Sequence, residues 1–67
     1  MIYFYLNGTT YKTNYPLTLL NLLVYFNYNQ TLLVLEYNNR ICNKKNWDQI
    51  FIKNKDKIEI VTIVGGG

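Results

Sequence analysis

Histidine, alanine and serine are missing from this chain, and it has a single cysteine, Cys42, and a single proline, Pro16. One cysteine cannot form an intramolecular disulfide, and without histidine a Cys/His metal site is excluded, which fits a reducing compartment. The acids are few: Glu36, Asp48, Asp56 and Glu59. Asp56 reads as a turn residue and Glu59 as the outward side of an edge-like strand, so no acid–base catalytic pair is expected in a domain too small to build a pocket around one. Long apolar runs are also missing. The richest, Leu17 to Phe26, is broken by Thr18 and Asn21 and falls short of the ~20 residues a membrane span needs, so a soluble protein with no membrane partner is expected. Met1 leads directly into a strand-like pattern, and neither a signal nor a transit peptide is expected.

Hydrophobic residues make up 49% of the 67 and recur along the whole length, which points to one packed domain spanning residues 1–67 rather than to disorder. The net charge of +3 is spread over Lys12, Arg40, Lys44, Lys45, Lys53, Lys55 and Lys57 with acids interleaved, a pattern of solubility rather than of a nucleic-acid footprint. Seven tyrosines could stack on bases, but no aromatic–basic motif accompanies them, and no nucleic-acid partner is expected. Asn, Ile, Lys, Tyr, Phe and Leu dominate, residues with AT-rich codons, and this composition suits a plastid genome, with a reduced bacterium and its cytoplasm as the alternative.

Residues 1–6 alternate, with Ile2, Phe4 and Leu6 on one face and Tyr3 and Tyr5 on the other, and Asn7-Gly8 supplies a tight hairpin into a second strand at about 10–14. Pro16 then stops strand pairing and Thr18 can cap a helix over about 18–27, whose stripe of Leu19, Leu22, Leu23 and Phe26, widened by Leu20 and Val24, can lie across a sheet. Strands are expected at 32–37, after which Asn38-Asn39 turns the chain, at 40–42 and at 58–64. A short helical turn at 44–50 carries Trp47, which reads as a cap on the core rather than a partner contact. Cys42 reads as a core or half-buried thiol without a catalytic role. Two strands, a helix and further strands give an α+β fold of the β-grasp (ubiquitin-like) kind, a mixed four- to five-stranded sheet wrapped around one main helix.

The chain ends Val64-Gly65-Gly66-Gly67 directly after an apolar strand. A tail without side chains can thread a narrow tunnel and present a carboxylate to a distant active site, although glycines at a terminus are equally what fraying leaves behind. The rest of the chain decides between these readings. The hairpin with Asn7-Gly8, the helix opening Thr18-Leu19 followed by Leu22-Leu23, the strand Val34-Leu35-Glu36-Tyr37-Asn38, Trp47, and the run Asp56-Lys57-Ile58-Glu59-Ile60-Val61 leading into the glycines together resemble the ThiS family, the sulfur carriers of thiamine biosynthesis, over essentially the full length. Two positions depart from the family pattern: Asn39 stands where a turn glycine is common, and Asn43 where a proline is, which leaves the segment from Cys42 to Trp47 free to loosen.

The resemblance implies a carrier, not an enzyme. Gly67 would be adenylated and then converted to a thiocarboxylate, with Gly65 and Gly66 forming the slim tail (64–67) that enters the partner's active site. The implied partners are a ubiquitin-activating-type adenylyltransferase, which would use the ATP and Mg²⁺, thiazole synthase as the sulfur acceptor, and indirectly a cysteine desulfurase. No cofactor or metal would be bound by this chain. Related carriers for molybdopterin synthesis or tRNA thiolation share this chemistry, and a ubiquitin-like modifier is a further alternative. Docking is expected on the sheet face beside the tail, because so small a core cannot absorb all the apolar residues present.

Overall fold

In a computed structural model, residues 1–63 are described and form one five-stranded mixed sheet with a single helix across one face. The elements in chain order are β1 (Ile2–Leu6), β2 (Thr9–Thr13), α1 (Leu19–Tyr25), β3 (Leu33–Tyr37), β4 (Arg40–Ile41) and β5 (Asp56–Thr62), with a short 3₁₀ turn at Lys44–Asn46. The strand order is β2-β1-β5-β3-β4. This is the β-grasp arrangement the sequence pattern indicates. The final strand, however, is no edge: β5 lies in the middle, parallel to β1 and antiparallel to β3.

The turns follow from the asparagines. Asn7 (φ 49°) and Gly8 (φ 82°) both take the left-handed conformation that a two-residue hairpin needs, and Asn38 (φ 52°) and Asn39 (φ 70°) do the same between β3 and β4. Asn39 therefore replaces glycine without loss of the turn. At the start of α1 the Thr18 hydroxyl accepts from the Asn21 N–H and the Asn21 side chain accepts from the Thr18 N–H, each at 3.0 Å. The helix ends where Asn27 turns left-handed (φ 60°), with the Tyr28 N–H donating to the Leu23 carbonyl and the Asn27 N–H to that of Val24.

So short a helix covers the sheet with one narrow stripe. Leu19, Leu22 and Leu23 are buried and Leu20 is half-buried, whereas Val24 and Phe26, expected on the same stripe, are exposed. The buried helix residues meet Phe4, Leu6, Leu33, Leu35, Ile58 and Ile60 from the sheet, with Trp47 and Ile52 closing the core from the connecting segment. Trp47 is a core residue as expected, and its indole N–H donates to the Cys42 carbonyl at 3.1 Å. That bond, together with the Asn43 side chain accepting from the Lys45 N–H, holds the segment that the absent proline was expected to loosen.

Asp56, expected in a turn, is the first residue of β5 and is buried. Its carboxylate accepts from the Tyr37 hydroxyl at 2.5 Å, from the Lys53 N–H at 2.7 Å and from the Asn38 side-chain amide at 3.1 Å. One anion thus ties β5, the end of β3 and the loop before β5 together. A buried carboxylate is tolerated only when its lone pairs are occupied in this way. Burial, the bond to Asp56 and its negative charge push the Tyr37 phenol from 10.0 up to about 12.

Asp56→Ala would leave the Tyr37 hydroxyl and the Lys53 N–H unpaired and should lower unfolding free energy by about 2–3 kcal/mol in a urea titration. Because the folded-state phenol pKa is raised, its contribution to stability is complete below pH 10.0 and is lost as pH rises towards about 12. Urea midpoints measured across that window should fall more steeply for the parent chain than for Tyr37→Phe.

Candidate functional site

The residues expected to carry chemistry, Gly65, Gly66 and Gly67 with Val64, lie outside the described residues. The strand that delivers them is described, and its geometry is specific. β5 pairs with β1 from Phe4↔Asp56 to Leu6↔Ile58 and then outruns it, because β1 turns away at the hairpin. Beyond that point the β5 backbone would lose its partner on one side. Asn7 replaces it: its N–H donates to the Ile58 carbonyl at 2.9 Å, and its side-chain oxygen accepts from the Ile60 N–H at 2.7 Å. On the other side β3 pairs with β5 along its length, from Tyr37↔Ile58 to Leu33↔Thr62, and the Ile63 N–H donates to the Leu32 carbonyl at 2.7 Å. The chain is thus held on both sides as far as Ile60 and on one side to Ile63.

Strand periodicity sets which side chains face out around this exit. Ile58 and Ile60 point into the core, so Val61 and Ile63 point to the uncovered face, and both are about half exposed. Val61 lies directly opposite Val34, and Ile63 bonds to Leu32, which is also exposed. Ile41 on β4, 75% exposed, stands opposite Glu36 in the next row. Val61, Val34, Leu32 and Ile63 make an apolar band across the sheet at the end of β5, and Ile41 extends it from the neighbouring row.

Behind the band comes a charged row. Glu36 and Glu59 face each other directly across β3 and β5, a like-charge pairing that disfavours the sheet. Lys57 offsets it from the same strand, its ammonium 3.2 Å from the Glu59 carboxylate. Both partners are about half exposed, so the ion pair contributes little to stability.

Cys42 lies at the other margin of the sheet, past the end of β4, with its N–H donating to the Leu35 carbonyl. Its thiol is half-buried, and burial raises its pKa, which lowers the thiolate fraction that a sulfur relay would require. Asp48, an acid considered at the sequence level, is exposed and makes no ion pair among the described residues. Asp56 is committed to the structural network. Among the described residues no three of His, Cys, Asp and Glu gather into a group able to hold a metal ion. The described part of the site thus consists of a clamped strand, an apolar collar and a row of opposed acids.

Exposed apolar residues are present on the sheet, as a core this small leads one to expect, but sequence reasoning missed Asn7, which it treated only as a turn residue. Its side-chain role depends on the register that brings the hairpin beside Ile60, and no local pattern encodes that register. The outward placement of Val61 and Ile63 was available, since a run that turns continuously apolar at the end of a sheet strand must expose alternate residues.

Comparison with known proteins bears directly on this arrangement. A protein of Trieres chinensis named ycf40 is 64% identical over 64 residues, covering 96% of this chain and 88% of its own length. The ycf40 proteins of Porphyra purpurea and Pyropia yezoensis are 36% and 31% identical over 62 residues, each alignment covering 92% of this chain and 87% of the relative. The fold matches that of the crystal structure of a thiamine biosynthesis protein (ThiS) from Geobacter metallireducens, with a TM-score of 0.82 at 22% identity, over 98% of this chain and 100% of that one. The model of the ThiS family matches residues 4–67, from the first core strand through the last glycine, and the chain belongs to that family.

Proposed function

We propose that this chain is a sulfur carrier of thiamine (thiazole) biosynthesis, with the carboxylate of Gly67 as the group that is activated and loaded. The observation that carries the reading is the clamped central strand, collared by exposed apolar residues, leading into a side-chain-free tail within a family match that runs to residue 67. The tail carboxylate is a poor acyl donor until it attacks the α-phosphate of ATP on a ubiquitin-activating-type adenylyltransferase, releasing pyrophosphate and forming an acyl adenylate. A persulfide sulfur derived from a cysteine desulfurase then displaces AMP. Cleavage of the S–S bond by a thiol leaves a thiocarboxylate on Gly67, which passes its sulfur to thiazole synthase. Gly65 and Gly66 keep the tail slim enough to reach both active sites. ATP and Mg²⁺ belong to the activating enzyme in this scheme.

The apolar band of Val61, Ile63, Leu32, Val34 and Ile41 is the docking face for those partners. Its place beside the tail exit means that docking and tail insertion draw on one surface, and burying a central apolar cluster supplies most of the affinity of such an interface. The ycf40 name of the relatives, carried by plastid-encoded genes, supports a plastid setting together with the AT-rich codon composition.

Incubated with ATP, a thiamine-pathway activating enzyme and a cysteine-driven sulfur source, the protein should gain ~16 Da on its C-terminal peptide, the O-to-S exchange on an acyl carbon, and lose that gain when Gly67 is deleted. An unchanged mass with an enzyme active on its own carrier would turn the reading towards the molybdopterin or tRNA-thiolation carriers or a protein modifier. Val61→Asp should raise the KM of the activating enzyme for this carrier about tenfold with kcat little changed, as expected for a docking contact remote from the acyl group. Asn7→Ala should cost about 1 kcal/mol of stability by leaving the Ile60 N–H unpaired, read as a shift of the urea midpoint.

A further inference from the structure

At the margin of the sheet away from β3 and β4, β2 is an edge strand with an apolar cleft beneath it. In the β1–β2 hairpin the pairs Leu6↔Thr9, Phe4↔Tyr11 and Ile2↔Thr13 face each other through their backbone hydrogen bonds, because a two-residue turn closes on a bonded pair and the pattern then alternates. The N–H and C=O groups of Thr10 and Lys12 therefore point outwards, and among the described residues they have no partner. No proline or non-glycine left-handed residue interrupts β2 to blunt this edge.

Between β2 and the C-terminal half of α1 lies a cleft of about 420 Å³. Its floor is Phe4, Tyr11 and Leu22, and Tyr15, Tyr25 and Phe26 form its rim. Tyr15 and Tyr25 are 76% and 73% exposed, and Tyr11 packs edge-on against Phe26 with ring centroids 5.2 Å apart. Lys12 is the one charged residue that borders the cleft, and strand alternation puts its side chain on the outer face of the sheet beside Tyr3. The cleft opens at the end of the sheet opposite to the hairpin, whereas the tail leaves β5 beyond the hairpin. It is thus separate from the apolar collar at the end of β5.

We propose that this edge and cleft together form a strand-addition site for an extended segment of a partner protein, with aliphatic residues at alternate positions and an acid between them. The unpaired groups of Thr10 and Lys12 require an extended backbone as occupant. Side chains on one face of the added strand enter the aromatic cleft, and those on the other lie beside the Lys12 side chain on the outer face of the sheet. A carboxylate directly across from Lys12 completes a favourable cross-strand pair, while a second lysine there is repelled. Lys12 consequently disfavours basic segments and opposes pairing of β2 with a second copy in register at that residue.

The test uses two peptides, acetyl-Asp-Val-Asp-Ile-Asp-Val-amide and acetyl-Lys-Val-Lys-Ile-Lys-Val-amide, titrated into the isotope-labelled full chain by NMR. The acidic peptide should shift the amides of Thr10 to Thr13, Leu22, Tyr25 and Phe26, slow the hydrogen exchange of the Thr10 and Lys12 amides, and bind more tightly than the basic one. Lys12→Glu should weaken the acidic peptide about two- to fivefold and favour the basic peptide, in keeping with the size of a cross-strand charge pair. Tyr25→Ser, at an exposed position that does not endanger the fold, should weaken both. Failure of the acidic peptide to bind at about 1 mM, the scale of a weak isolated contact, or binding that leaves the Thr10 and Lys12 amides unprotected, would overturn the proposal. Protection of those amides without peptide, in a concentration-dependent dimer, would overturn it in favour of self-pairing.

Discussion

The structure depends on one constraint: the strand that leads to the chain's end is the middle strand of the sheet. β5 pairs in parallel with β1 and antiparallel with β3, so the last element of the chain bonds to the first and to the strand after the helix. Without it the β1–β2 and β3–β4 hairpins are two separate ribbons, and the helix has no continuous surface to cover. Ile58 and Ile60 complete the core from this strand, and Asp56 fixes where it begins by gathering Tyr37, Asn38 and the loop backbone at Lys53. The exit of the tail is therefore set by the most constrained part of the fold, and cannot slip by a residue without exposing both isoleucines.

A single-layer sheet covered on one side leaves the other side uncovered, and this chain uses the two zones of that surface differently. Near the tail, Val61, Val34, Leu32 and Ile63 give an apolar collar; farther back, Glu36 and Glu59 stand opposed with Lys57 alongside. Burial of the collar by a partner would recover apolar area that the domain is too small to bury by itself. The β2 edge, at the far margin, offers backbone groups and an aromatic cleft instead, so the two proposed surfaces would recognise different features of their partners. A flat apolar face suits the first and an extended chain the second.

Much of this was legible in the residues. Asn7-Gly8 between alternating strands specifies the hairpin, Thr18 specifies the helix start, and Leu19, Leu22 and Leu23 specify its inward face, because each signal is local in the chain. Val24 and Phe26 depart from the expected stripe for different reasons: Val24 lies round the helix from Leu19, Leu22 and Leu23, and Phe26, one residue past the end of α1, packs against Tyr11 of β2 at the sheet margin and stays partly exposed. The position of β5 was hidden for a different reason. A strand reads the same whether it lies at an edge or in the middle until its partners are known, and its parallel pairing with β1 joins residues about fifty apart. The roles of Asn7 and Asp56 follow from that pairing and were hidden with it. The glycines of the tail, by contrast, are visible in the sequence alone, and the family match through residue 67 includes them.

The central claim is that the folded domain presents the Gly67 carboxylate for adenylation. The most direct measurement is carrier-dependent exchange of labelled pyrophosphate into ATP by the activating enzyme, which reports the acyl-adenylate step before any sulfur is involved. Exchange should appear with the full chain and vanish with the otherwise folded chain lacking Gly67. Equal exchange with both forms, or none with either while the enzyme turns over its own carrier, would contradict the account.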